Sequence, residues 1–476
     1  MRLVKKLFLL GLLFFLLLMF PALADQSNSA PHFENKNVIV RDLQMSLIID
    51  DFLVNDDTGT ADQEYPSIDI DGSGNFVITW RDARNSNYDI YAQRYNSVCI
   101  PLGANFKVDE DSGHNLPSHP AIAMSDFGGF VITWEDYRNS ITNADIYAQR
   151  YSSTGSPLGS NFKVNDDSGS RGQYSPSVAM DSSGSFVITW YDYRNGNPDI
   201  YAQRYSSSGI PIYSNFKVND DLGSRYQYRP DIAMDVLGNF VITWEDSRNS
   251  IWVTDIYAQR YTSLGIALDS NFLVSYYDVG SIYKWYPRIA LDGCGNFVIT
   301  WRDERNGYPD YPDIYAQRFS SSGVALNSNF RVNDETGTTS LWYPAIAMAG
   351  LGNFIITWTD GRNGNWGIYA QRYDSSGVKQ GTNYLIPDTL FASSDQRNPA
   401  IASSGSTLYF TWQDNRRGNS DIFAKVADWT WNKVEEDQEV GLPNSFELAQ
   451  NYPNPFNPTT RIQFRVGSLE NPSTPL

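Results

Sequence analysis

Just after each of seven recurring tryptophans an aspartate stands two residues before an arginine: Asp82/Arg84, Asp136/Arg138, Asp192/Arg194, Asp246/Arg248, Asp303/Arg305, Asp360/Arg362 and Asp414/Arg416. A carboxylate and a guanidinium so close can bind an anion, form a directional ion pair or take part in proton transfer. Each pair follows a tryptophan, at Trp80, Trp134, Trp190, Trp244, Trp301, Trp358 and Trp412, spaced 54 to 57 residues apart. A residue present in every copy of a repeat cannot mark one off-axis site. The Asp-x-Arg pairs therefore read as turn fixtures, the Asp capping backbone N–H groups and the Arg stacking on a ring or pairing with a carboxylate. The chemistry of a single site must be written where the copies disagree.

Three acids occur once: Glu64, Asp69 and Asp231, with Arg229 and His119 as company. They are the weak catalytic candidates, suited in type to a glycoside hydrolase or polysaccharide lyase, which needs acids or a Tyr/His pair placed once. No spacing binds them into a constellation. Asp69 is notable because five of the other six copies carry Ala123, Ala179, Ala233, Ala290 and Ala347 at the same distance before their tryptophan. A carboxylate where large side chains would clash costs free energy unless it is paired or wet.

Metal chemistry is poorly supported. The turns Asn165-Asp166-Asp167 and Asn219-Asp220-Asp221 are rich enough in oxygen for Ca²⁺, but no D-x-D-x-D-G spacing is complete, and solvated turn-formers are the preferred reading. His114 and His119 share a loop with no cysteine or third histidine, so zinc is not expected. Cys99 and Cys294 lie four copies apart, which argues against a disulfide.

The elements that position these residues follow from one copy. PAIAM (120–124) is a short apolar strand, FVITW (130–134) a β-branched and aromatic run, DIYAQRY (145–151) an alternating strand and NFKVN (161–165) a fourth. Gly, Asn and Asp turns join them. Four antiparallel strands repeated seven times at this period predict an all-β chain, a seven-bladed β-propeller over residues 47–428. DFLVN (51–55) is a fourth strand with no blade before it, and DIFAKV (421–426) a third strand with none after it. The N-terminal strand should therefore complete the last blade and remove both unpaired edges.

In that layout a proline opens most inner strands, at Pro66, Pro120, Pro176, Pro230, Pro287, Pro344 and Pro399. The preceding residues should ring the channel mouth: Tyr65, His119, Ser175, Arg229, Tyr286, Tyr343 and Asn398. These differ while the proline recurs. With Trp285 and Trp342 beside them they make an aromatic rim of mixed polarity. Such rings stack on sugars or apolar side chains, and Arg and His supply directional donors. Drift on an unselected loop is the competing reading.

Residues 1–24 read as a secretory signal: Arg2, Lys5 and Lys6, then an apolar run from Leu7 to Phe20, then Ala22-Leu23-Ala24. The run is shorter than the ~20 residues needed to span a bilayer, so no membrane span is expected after cleavage. Cleavage removes three cations and no acid, taking the net charge from −18 to −21. Such a surface repels phosphate backbones, so nucleic acid is excluded as a partner. Residues 25–46 and 429–445 read as linkers.

Two resemblances add to this. Gln450 to Phe464 (QNYPNPFNPTTRIQF) resembles the opening of the C-terminal sorting module, type A, of the bacterial type IX secretion system. It implies an incomplete immunoglobulin-like module over 446–476, and secretion machinery as a partner. The repeat, on Asp192, Arg194, Asn195, Asp199, Ile200 and Tyr201 and their copies, resembles exported bacterial propellers of the TolB-like kind. The expectation is a secreted or cell-surface propeller that binds a glycan or protein through its channel-mouth face without catalysis. An enzyme at the same face, or a passive surface scaffold, are the alternatives.

Overall fold

The computed structural model describes residues 49–110, 116–250, 253–276, 283–306, 311–335, 339–387 and 394–429, with strand pairs at 447–448 and 464–465. The signal segment, the first linker, His114, the chain beyond Trp429 and, apart from those strand pairs, the sorting-module stretch lie outside the described residues. Glu447–Leu448 pairs antiparallel with Phe464–Arg465.

Seven four-stranded antiparallel sheets make up the ring. In chain order the blades span Gln63–Lys107, Ser118–Lys163, Gln173–Lys217, Gln227–Leu273, Lys284–Arg331, Leu341–Leu385 and Gln396–Asp428, and are called blades 1 to 7. The last is completed by Ile49–Leu53, which pairs with Asp421–Asp428 as its outermost strand. The closure expected from DFLVN is present, two residues earlier in the chain. It leaves the ring without a free edge at the seam.

Each second strand is buried nearly throughout because it is sandwiched between neighbouring blades; Phe130–Asp136 is buried at every position. Core clusters accordingly join adjacent blades. Ala123, Val131 and Ile146 of blade 2 pack with Val178, Phe186 and Trp190 of blade 3. Within blades, Phe186 stacks on Tyr205 at 4.7 Å.

The Asp-x-Arg fixture is resolved atom by atom. Each of the seven tryptophans is fully buried. Its indole Nε1–H donates to Oδ2 of the following aspartate, 2.8 Å from Trp190 to Asp192, a pairing repeated in every blade. The Asp192 Oδ1 accepts the Arg194 backbone N–H at 2.7 Å, and the Arg194 guanidinium lies 4.1 Å from the Tyr201 ring centroid. The arginine therefore both pairs and stacks. A second arginine clamps blade to blade: Arg150 Nη1 and Nη2 donate to Ser208 and Ser207 carbonyls of the next blade. In blade 7 Val426 stands in that register, and the seam to blade 1 is packed instead by Tyr409, Tyr95 and Phe52.

The first strand of each blade leaves the mouth face and the third runs away from it. Blade 7 ends its third strand at Asp428, and Ile49 pairs with Val426 beside it. Both described ends of the ring thus lie on the face opposite the mouth.

Candidate functional site: the channel mouth

Every inner strand begins with a slip in its pairing to the second strand, between Glu64 and Ser67 in blade 1 and at the equivalent place in the other six. The pre-proline residue sits at the slip. In all seven blades it has a left-handed backbone, φ between +47° and +56°, and in none is it glycine. A bulge of this kind turns the side chain off the sheet. Bulky residues rarely adopt that backbone, and each costs on the order of 1 kcal/mol that the surrounding ring must hold. The seven residues Tyr65, His119, Ser175, Arg229, Tyr286, Tyr343 and Asn398 all line one central cavity of about 540 Å³.

Trp285 and Trp342 are outside that lining and stand one step behind it. Tyr286 meets Tyr343 edge-on at 5.0 Å and Trp342 at 6.2 Å. On the opposite arc the Tyr65 ring lies 4.9 Å from His119. The mouth is therefore lopsided, with its large rings concentrated on blades 5 and 6.

The polar groups of the rim are held by residues the proline-based reading did not single out. They occupy the position between each Trp and Asp: Arg81, Glu135, Tyr191, Glu245, Arg302, Thr359 and Gln413. Arg229 Nη1 donates to both oxygens of Glu245, at 3.1 and 2.9 Å. The same carboxylate accepts the Tyr286 backbone N–H at 2.8 Å, although Glu245 is only 2% exposed. Burial alone would lower the Arg229 pKa, but Glu245 outweighs it and holds the guanidinium charged. That guanidinium stands 4.6 Å from the Tyr286 centroid. In blade 2, Glu135 Oε1 lies 3.2 Å from His119 Nδ1 and accepts the Ser175 N–H at 2.7 Å. In blade 7, Gln413 Oε1 accepts from Asn398 Nδ2 at 2.7 Å and from the Tyr65 N–H. These side chains cross from one blade to the rim residue of the next. Their signal was available in the sequence, since this position varies among copies just as the pre-proline one does.

The three single acids separate. Glu64 is outside the channel and pairs with Arg81 at 3.3 Å. Asp69 and Asp231 line the channel, on blades 1 and 4. Asp69 Oδ2 accepts the Met124 N–H at 2.6 Å; burial nevertheless pushes its carboxyl up to about 7. Asp231 accepts the Ser177 hydroxyl at 2.8 Å on one oxygen and the Ile289 N–H at 2.9 Å on the other. Both carboxylates bind neighbouring inner strands together. Glycoside hydrolysis requires carboxyl oxygens free to meet a sugar from two sides.

The oxygen-rich turns are also engaged internally: Asn165 Nδ2 donates to Asp145, Asp167 and Gln173. Among the described residues no cluster of three His, Cys, Asp or Glu side chains is arranged to hold a metal ion.

No protein-family profile matches the chain, and no curated protein does. Solved structures do. An ulvan lyase of polysaccharide lyase family 25, solved bound to -[GlcA(1-4)Rha3S]-, is 10% identical and covers 80% of this chain and 96% of its own, with a TM-score of 0.52. A protein of unknown function from Dyadobacter fermentans DSM 18053 is 8% identical, covering 80% and 99%, with a TM-score of 0.48. The GH93 α-L-arabinofuranosidase of Fusarium graminearum, solved with arabinobiose, is 10% identical, covering 80% and 98%, with a TM-score of 0.47. The ulvan lyase defines the likeness, which is one of fold: a propeller shared with carbohydrate-active proteins.

Proposed function

We propose that this chain is an exported propeller that binds a glycan at its channel mouth without cleaving it. The observation that carries the reading is the contrast at the rim. Seven alike left-handed bulges hold side chains of five kinds, with the large rings gathered on blades 5 and 6. A ring with a polar tip offers an apolar face to a sugar and a donor to its hydroxyls. The fold shared with an ulvan lyase supports a carbohydrate over a protein ligand. Asp231, whose two oxygens are taken by Ser177 and Ile289 of the neighbouring strands, favours binding over catalysis. The export part rests on residues 1–24 and on the resemblance of 450–464 to a type IX sorting motif, with the repeat itself resembling TolB-like exported propellers.

Replacing Tyr286 and Tyr343 together by Ala tests the site on a glycan array. Loss of binding with an unchanged melting temperature is expected, and binding equal to wild type removes the rim from consideration. Release of the chain into the medium, compared with a variant ending at Trp429, tests the address.

A further inference from the structure

We infer that the mouth is one end of a track, a path of aromatic side chains over blades 3 to 6, bridged at blade 4 by Arg229, that takes a neutral glycan chain several sugars long. This rests on the glycan reading above and extends it. The path begins in blade 3, where the Tyr174 and Tyr191 rings stand 5.4 Å apart. Tyr191 meets Tyr228 of blade 4 edge-on at 5.2 Å, and the Tyr193 and Tyr228 hydroxyls lie 3.3 Å apart. Tyr228 precedes Arg229, which reaches over Tyr286 of blade 5, and Tyr286 meets Tyr343 of blade 6. All of these rings are partly exposed.

The ring fold does not require them. Between the Asp and Arg of the turn, where blade 3 has Tyr193, blades 1, 4 and 6 have Ala83, Ser247 and Gly361. One residue before the rim, where blades 3 and 4 have Tyr174 and Tyr228, blades 1 and 2 have Glu64 and Ser118. The same blade is built either way, so the seven copies serve as their own control. Tyrosines that the architecture can do without have gathered on adjacent blades, leading into the mouth.

Charge selects the ligand. Two cations against these rings are matched, Arg229 with Glu245 and Arg302 with Glu304, and Arg288, which lines the cavity and donates to the Pro287 carbonyl, is within electrostatic reach of Asp231 and Glu245. The chain as a whole carries −18. A polyanion approaching the path would meet that net negative charge and cations already faced by acids. A neutral chain keeps the ring faces and the phenol hydroxyls. Burial pushes the Tyr191 and Tyr228 phenols above their ordinary range, so they remain protonated donors.

The test is electrophoresis of the protein through native gels holding arabinan, xylan or galactomannan (neutral), or polygalacturonate or alginate (anionic). Calorimetry then follows with the disaccharide and hexasaccharide of the retaining polymer. Retention by a neutral polymer is expected, with the hexasaccharide bound roughly tenfold or more tightly than the disaccharide, as one or two added ring contacts would give. Tyr193→Ala/Tyr228→Ala should abolish that gain and keep the disaccharide affinity. Tyr193→Phe/Tyr228→Phe, which keeps the packing, should reduce it. Equal affinity for both lengths overturns the track and leaves the mouth as a site. Retention by a polyanion alone overturns the neutral chain. No retention by any polymer overturns the glycan reading, and the track with it.

Discussion

Asp69 is the residue through which pH should reach the ring. Its folded pKa is about 7 against an ordinary value of 3.8. Between those values the native state holds a proton that the unfolded chain has released, so stability falls as pH rises from about 4 to 7 and is lowest above it. Asp69→Asn keeps an acceptor for the Met124 N–H and removes the buried charge. It should raise stability by about 2–3 kcal/mol at pH 8, after allowance for water in the channel, with the gain vanishing towards pH 4. Denaturant melts at the two pH values check this. Arg229 and Glu245 make the second residue-scale case. Arg229→Ala leaves Glu245 buried without its cation and should cost about 3–5 kcal/mol, whereas Arg229→Ala/Glu245→Gln should recover much of that loss in a double-mutant cycle. Asp69 and Arg229 were legible in the sequence as breaks in a repeat. Glu135 and Glu245 also vary between copies, but only the three-dimensional ring shows that a residue beside one tryptophan supports the rim of the next blade.

Blades and their closure were legible for a physical reason. Period-two burial, a tryptophan in each second strand and turn residues at fixed offsets agree with one another in all seven copies, so local and global preferences point to one answer. Bounds at the ends were less so: the closing strand is Ile49–Leu53 rather than 51–55, although Leu53 opposite Phe423 repeats the register of Lys217 opposite Tyr201. The bulges before each proline were also unseen, because a left-handed backbone at Tyr or Arg contradicts the intrinsic preference of those residues. Two outcomes belong at this scale. Removing Ile49–Leu53 exposes the edge of Asp421–Asp428, and should lower the melting temperature and produce concentration-dependent association in light scattering. Asp192→Ala orphans the buried Trp190 indole N–H and unties Arg194, and should cost about 3 kcal/mol in chemical denaturation while leaving glycan affinity as it was.

At the scale of the whole molecule, framework and variation are separated by position. What recurs lies between blades, and what differs lies on the mouth face, opposite the two ends of the ring. Any tether attached at Ile49 or Trp429 therefore leaves the mouth facing outward. The left-handed bulges carry a broader consequence. The same backbone site already accommodates tyrosine, histidine, serine, arginine and asparagine without the sheet changing register. Ser175→Tyr should accordingly shift the melting temperature little, since Tyr65, Tyr286 and Tyr343 sit in that geometry, and should change which glycans an array reports. The mouth behaves as a seven-letter word on a fixed line of type: each letter can be reset on its own, and a new specificity can be spelled without recasting the ring.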